Sequence, residues 1–152
     1  MSRVQLALNV DDIDEAVTFY SKLFATEPAK RRPGYANFAV AEPPLKLVLI
    51  ENPGHGGSLN HLGVEVETST EVTATTARLS GEGLATATEE NVSCCYAVQD
   101  KVWVDDPHGT PWEIYAVLAD TETPATGLRS VEPSCGAGRC DTDPSSDVCC
   151  AG

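Results

Sequence analysis

The chain echoes itself at an offset of 56 residues, and this repeat limits its possible folds more than any other feature. Val4-Gln5-Leu6-Ala7-Leu8-Asn9-Val10 alternates as a strand does, and so does Asn60-His61-Leu62-Gly63-Val64-Glu65-Val66. Leu6, Leu8 and Val10 superpose on Leu62, Val64 and Val66. Residues 12–24 read as an amphipathic helix with Ile13, Ala16, Val17, Tyr20 and Leu23 on one stripe, capped by Asp11 or Asp12. The counterpart helix spans about residues 70–80, with Val72, Thr76 and Leu79 on its stripe, and closes at Gly81. Strand signals follow each helix: 35–40 and 45–50 in the first half, then a short stretch near 84–87, 101–104 and 112–117 in the second. The last two are joined by the turn Asp105-Asp106-Pro107-His108-Gly109-Thr110. The pattern is βαβββ twice over. Neither module can bury its sheet face alone, so the expected fold is α+β, with modules 3–52 and 58–118 paired into a curved half-barrel.

A length of 152 residues fits one domain. Composition changes near Ala119: residues 120–152 are Thr, Pro, Gly, Ser, Asp and Cys with almost no aliphatic side chains. Such a stretch cannot repay its ordering entropy, so a domain over 1–119 and a flexible, acidic, Cys-rich tail over 120–152 are expected. Ten basic against twenty-three acidic residues give a net charge of −13, which excludes nucleic acid and disfavours anionic membranes as partners. No run approaches the roughly 20 apolar residues that span a bilayer, and Met1-Ser2-Arg3 leads into no signal-peptide core. A soluble, cytoplasmic protein is the expectation.

The six cysteines are Cys94-Cys95, Cys135, Cys140 and Cys149-Cys150, with none in the first 93 residues. That distribution is no disulfide framework, and the cytosol keeps such residues as thiols. A lone cysteine is usually inert filler, but two adjacent pairs in a short chain favour chelation of soft metals or metalloids. Strand neighbours point to opposite faces, so Cys94 and Cys95 acting together call for an irregular loop, which Asn91, Val92 and Ser93 would supply. No CxxC…CxxC spacing marks a structural zinc site.

Period-2 alternation also locates a candidate centre. With Leu6, Leu8 and Val10 toward the helices, Gln5, Ala7 and Asn9 face the concave side, as do His61, Gly63 and Glu65 on the matching strand. Gln5 and His61 are equivalent under the repeat, and Glu113, Tyr115 and Val117 share one side of the last strand. An imidazole, a carboxylate and a neutral oxygen donor can hold a divalent ion with positions left open. Glu65 reads as a supporting or rim group. His55, in Asn52-Pro53-Gly54-His55-Gly56-Gly57, reads as a solvated turn that lacks the Lys and helix of a phosphate loop. His108 reads as a turn residue, and Trp103 and Trp112 as core or pocket wall.

Three features together resemble the vicinal oxygen chelate superfamily: the paired βαβββ modules, Asp-Ile-Asp-Glu-Ala-Val-x-Phe-Tyr-x-x-Leu-Phe at 12–24 and Asp-Pro-x-Gly-x-x-x-Glu at 106–113. The superfamily includes glyoxalase I, extradiol dioxygenases and antibiotic-resistance proteins. The Cys-Cys-Tyr segment and the Cys-rich tail narrow the resemblance to the cadmium-induced CadI and ArsI heavy-metal resistance group, which contains iron(II)-dependent carbon–arsenic lyases. By resemblance, the metal ligands are Gln5, His61 and Glu113, with His61 and Glu113 catalytic, and Cys94 and Cys95 hold the substrate arsenic. Gln5 stands where a second histidine is usual, as it does in some glyoxalase I enzymes. The resemblance favours Fe(II), with zinc, nickel or cadmium as alternatives, and it also implies a homodimer. A glyoxalase is disfavoured, because its fourth ligand aligns with Val48 and Glu51 has the opposite strand parity. Two function classes remain: a metal-dependent lyase for trivalent organoarsenicals, and a non-enzymatic protein that sequesters cadmium or similar ions. The second draws on the tail thiols Cys135, Cys140, Cys149 and Cys150. Tyr96 and Lys101 lie near Cys94 and Cys95, and the sequence assigns them no role.

Overall fold

A computed structural model describes residues 2–94 and 96–120. In chain order the elements are β1 (Arg3–Val10), α1 (Ile13–Phe24), β2 (Lys30–Arg32), β3 (Tyr35–Val40) and β4 (Leu45–Glu51). After them come β5 (Leu59–Val66), α2 (Ser69–Gly81), β6 (Ala87–Cys94), β7 (Ala97–Asp105) and β8 (Pro111–Asp120). The strands form one curled sheet in the order β2-β3-β4-β1-β5-β8-β7-β6. The order reads the same from either edge once the halves are exchanged. Each module's first strand lies parallel to its last, and β1 and β5 meet antiparallel at the seam. The repeat therefore yields the α+β half-barrel that the sequence leads one to expect.

The helices cover the convex face. Asp12 caps α1 by accepting from the backbone N–H groups of Asp14 and Glu15, and Ala25 ends the helix in the left-handed region. Ile13, Val17, Ala16, Tyr20 and Phe24 pack against Phe38, Leu47 and Leu49 with Leu6, Leu8 and Val10. Leu23, placed on the stripe by sequence, is exposed, and Phe24 takes its place because a spacing of four from Tyr20 tracks the sheet more closely. Helix α2 starts with a capping box between Thr68 and Glu71. It ends at Gly81, but Gly83 rather than Gly81 takes the positive φ. Val72 packs against Val102 and Ala116, a smaller cluster than that under α1.

Several boundaries differ from the sequence reading: β2 adds a strand at Lys30–Arg32, β6 begins only at Ala87 rather than near 84, and β7 begins at Ala97 rather than 101. Strand β6 extends through Cys94, so Asn91, Val92 and Ser93 are not a loop. Val92, Ser93 and Cys94 pair with Gln99, Val98 and Ala97, and this ladder overrides the weak strand propensity of a polar run. The irregularity is a bulge at Glu90-Asn91, where Asn91 adopts φ 50° and its N–H donates to Asp100 Oδ1. At the other end β8 includes Asp120, which pairs with Ala97 and accepts from Lys30 Nζ. Cys95 and the tail thiols Cys135, Cys140, Cys149 and Cys150 lie outside the described residues. No helix among the described residues is long and apolar enough to cross a membrane.

Candidate metal centre

Three strands at the seam bring the three candidate ligands together, Gln5 from β1, His61 from β5 and Glu113 from β8, each buried. Register explains the meeting: Gln5 lies opposite Gly63, and Gly63 beside Glu113. A side chain at Gly63 would fill this space, since a Cβ there would sit 3.0 Å from Glu113 Cγ and 3.4 Å from Gln5 Cβ. Gln5 Nε2 is 3.0 Å from His61 Nε2 and 2.5 Å from Glu113 Oε1, and His61 Nε2 is 3.2 Å from Glu113 Oε1. Lys101 Nζ holds the other carboxylate oxygen, Oε2, at 3.0 Å, so Glu113 offers Oε1 to the centre. Burial pushes the Glu113 carboxyl up, but His61 and the Lys101 ammonium outweigh it and leave it at about 2. Glu113 is therefore a buried anion.

Tyr115 links the centre to its surroundings. Its hydroxyl lies 2.5 Å from Gln5 Oε1 and 2.9 Å from Glu65 Oε2, and its single proton serves one of them at a time. Burial and the Glu65 and Glu113 carboxylates raise the phenol's pKa, so it stays protonated. Glu65 also accepts from Arg3 and Lys46, at 2.9 and 2.8 Å. In the structure Gln5 Nε2 donates into the centre and Oε1 accepts from Tyr115, and a half-turn of the amide would exchange the two. Nε2 would then donate to Tyr115 Oη, Tyr115 would donate to Glu65, and Gln5 Oε1 would join His61 Nε2 and Glu113 Oε1 in the centre. Three lone-pair donors converging on one point form a cation site, so the residues present fit a divalent metal. Among the described residues no cluster of three His, Cys, Asp or Glu side chains has metal-binding geometry. The fit therefore depends on the amide of Gln5.

A cavity of about 270 Å³ opens from Gln5 and Glu113. Tyr35, Asn37, Val48, Gln99 and Val117 line it, and Arg3, Lys30, Lys46 and Glu65 line it as well. Gln99 Oε1 is buried without a hydrogen-bond partner among the described residues. The β6–β7 hairpin reaches the same cavity: Tyr96 packs on Tyr35 with ring centroids 5.4 Å apart, and its carbonyl accepts from Lys30 Nζ. Cys94 closes β6 two residues before Tyr96.

The remaining candidates fall as follows. Val48 is a buried apolar wall of the cavity, and Glu51 Oε2 accepts from Ile13 N at the start of α1, away from the centre. His108 is exposed in the turn between β7 and β8, where Asp106 Oδ1 accepts from the N–H groups of His108 and Thr110. Trp103 packs edge-on to His61 at 5.5 Å, and Trp112 is half-buried. His55 is exposed in the loop 52–58. Sequence reasoning left Lys101 and Tyr115 without roles. Alternation from Trp103 and from Glu113 puts both on the concave face, but the partner each finds there depends on strands distant in sequence.

The chain matches the Glyoxalase/Bleomycin resistance protein/Dioxygenase superfamily over residues 3–114, and it belongs to that family. It is 59% identical over 152 residues to Cadmium-induced protein CadI of Mycobacterium tuberculosis, covering all of this chain and 95% of that one. It is 62% identical over 124 residues to the Trivalent organoarsenical cleaving enzyme of Thermomonospora curvata, covering 81% and 82% of the two chains. In fold it resembles the Mn(II)-bound glyoxalase from Novosphingobium aromaticivorans, with TM-score 0.58 and 19% identity over 84% of this chain and 44% of that one.

Proposed function

We propose that the protein is a metal-dependent carbon–arsenic lyase of heavy-metal and metalloid resistance, acting on trivalent organoarsenicals in the cytoplasm as a homodimer. The observation that carries this reading is the convergence of Gln5, His61 and Glu113 beside a cavity that Tyr96 of the β6–β7 hairpin reaches through Tyr35. The 62% identity to an organoarsenical cleaving enzyme supports it. Gln5, His61 and Glu113 would hold the metal, favoured as Fe(II). When bound, that ion supplies the redox chemistry by which dioxygen reacts with an organic substrate. Cys94 and Cys95 bind the arsenic through two sulfurs as thiolates, leaving its carbon substituent toward the centre. Lys101 keeps Glu113 ionised and confined to one oxygen, and Tyr115, by accepting from the turned Gln5 amide, would direct its Oε1 to the metal. For methylarsenite and one dioxygen, the balance closes on arsenite and formaldehyde, and the methyl carbon supplies all four electrons.

The test is oxygen admitted to anaerobic, iron-loaded protein with methylarsenite, followed by arsenic speciation. Arsenite release lost in Cys94→Ser, Cys95→Ser and Glu113→Ala is the expected result. Release that persists in Glu113→Ala, or none from the wild type, contradicts it. A second reading, sequestration of cadmium by thiols without turnover, is favoured by the match to a cadmium-induced protein over all 152 residues, the span of the tail included. Tight cadmium binding unaffected by Glu113→Ala, with no arsenite released, would select it.

A further inference from the structure

The loop 52–58 carries a histidine and three glycines that the proposed chemistry does not use, yet it joins the centre through an unbroken line of hydrogen bonds. The line begins at the backbone carbonyl of His55, which can only accept. Ser58 Oγ donates to it at 2.6 Å, so Ser58 Oγ is left to accept from Asn9 Nδ2 at 2.9 Å. Asn9 thereby turns Oδ1 toward Asn60, whose Nδ2 donates to it at 2.9 Å. Asn60 in turn presents Oδ1 to His61 Nδ1 at 2.7 Å. Every step has one allowed direction, and the last acceptor requires a proton on His61 Nδ1. In the neutral imidazole Nε2 is then bare, and Nε2 is the atom that faces Gln5 and Glu113.

We infer that Asn60, aligned by Asn9 and the 52–58 loop, is a positioning residue that fixes the His61 tautomer with its Nε2 lone pair directed at the metal. The loop is itself held in place. Asp11 Oδ1 accepts from the N–H groups of Gly54 and Gly56, and Gly57 N and Ser58 O bond the backbone of Asn9 on both sides. Gly54 and Gly57 adopt φ of 86° and 81°, and a Cβ on Gly56 would lie 2.6 Å from the Asp11 carboxylate. The glycines therefore allow the one loop shape that delivers the His55 carbonyl to Ser58. A ligating histidine whose far nitrogen is fixed in this way binds its metal roughly 10–100-fold more tightly than one left free.

The inference rests on the reading of His61 as a metal ligand, but its first test uses metal-free protein and no arsenical. Long-range ¹H–¹⁵N correlation spectra, followed over pH to the neutral ring, should show the neutral His61 protonated on Nδ1 alone. A proton on Nε2, or an even mixture of tautomers, overturns it. Asn60→Ala should bring the mixture and weaken cobalt(II) binding, read by visible absorption, roughly 10–100-fold. Asn60→Asp, which keeps an acceptor on Nδ1, should restore both. Unchanged tautomer and unchanged cobalt affinity in Asn60→Ala overturn the inference, and the wild-type spectrum decides the tautomer if that variant does not fold. The correct tautomer without cobalt binding in the wild type would instead overturn the metal reading of the proposed function.

Discussion

Gly63 and Glu65 show how tightly single residues define the centre. Gly63→Ala would press a methyl group on Glu113 Cγ and on the Glu113 carbonyl, 3.0 and 3.1 Å away, where backbone cannot yield. The expected result is a loss of roughly 1–3 kcal/mol in stability together with weaker metal binding, measured by denaturant unfolding and cobalt(II) titration. Unchanged values of both would contradict the packing described. Burial pushes the Glu65 carboxyl up, but Lys46, Tyr115 and Arg3 outweigh it and hold its pKa below the usual value. Its contribution to stability is therefore present above about pH 4.3 and is lost as pH falls through the lower folded value. Thermal unfolding of wild type and Glu65→Gln should differ most near about pH 6 and less near about pH 3. An equal difference at both would contradict the assignment. At this scale Gln5, His61 and Glu113 were legible because a period of two and the repeat fix which side each faces. Asn9, Asn60, Lys101 and Tyr115 were not, because their roles depend on the partner each side chain meets across the sheet.

The elements were legible where local and tertiary forces agree. Helix α1 has its cap, its apolar stripe and its covering role written in residues 12–24, with only the last contact shifted from Leu23 to Phe24. Asp12→Ala removes the acceptor for two N–H groups and should cost about 1 kcal/mol, seen as a fall of a few degrees in Tm. No change would mean that the cap is supplied elsewhere. Strand β6 is the counter-example. Thr88-Glu89-Glu90-Asn91 has little strand propensity, and only pairing with β7 makes it a strand. That pairing turns the expected loop around Cys94 into one arm of a hairpin, whose Tyr96 packs on Tyr35 of the first module. Tyr96→Ala should loosen this contact and raise hydrogen exchange in β6 more than in β1. Equal protection in wild type and variant would contradict it.

The whole molecule is a duplicated module whose two copies meet along β1 and β5, with the candidate ligands drawn from that seam and its neighbour β8. Each copy contributes a seam residue at the equivalent position, Gln5 and His61, and the second copy adds Glu113. The centre therefore exists only when the modules are paired, which makes metal binding a property of the complete half-barrel. The tail thiols stand apart from this account and belong to the sequestration reading. Equilibrium dialysis of Fe(II) under anaerobic conditions separates the two. The wild type should bind one equivalent, His61→Ala and Glu113→Ala should lose it, and a variant with Cys135, Cys140, Cys149 and Cys150 replaced by serine should retain it. Iron that stays bound without His61 and Glu113, or is lost with the tail thiols, would contradict a centre built from Gln5, His61 and Glu113.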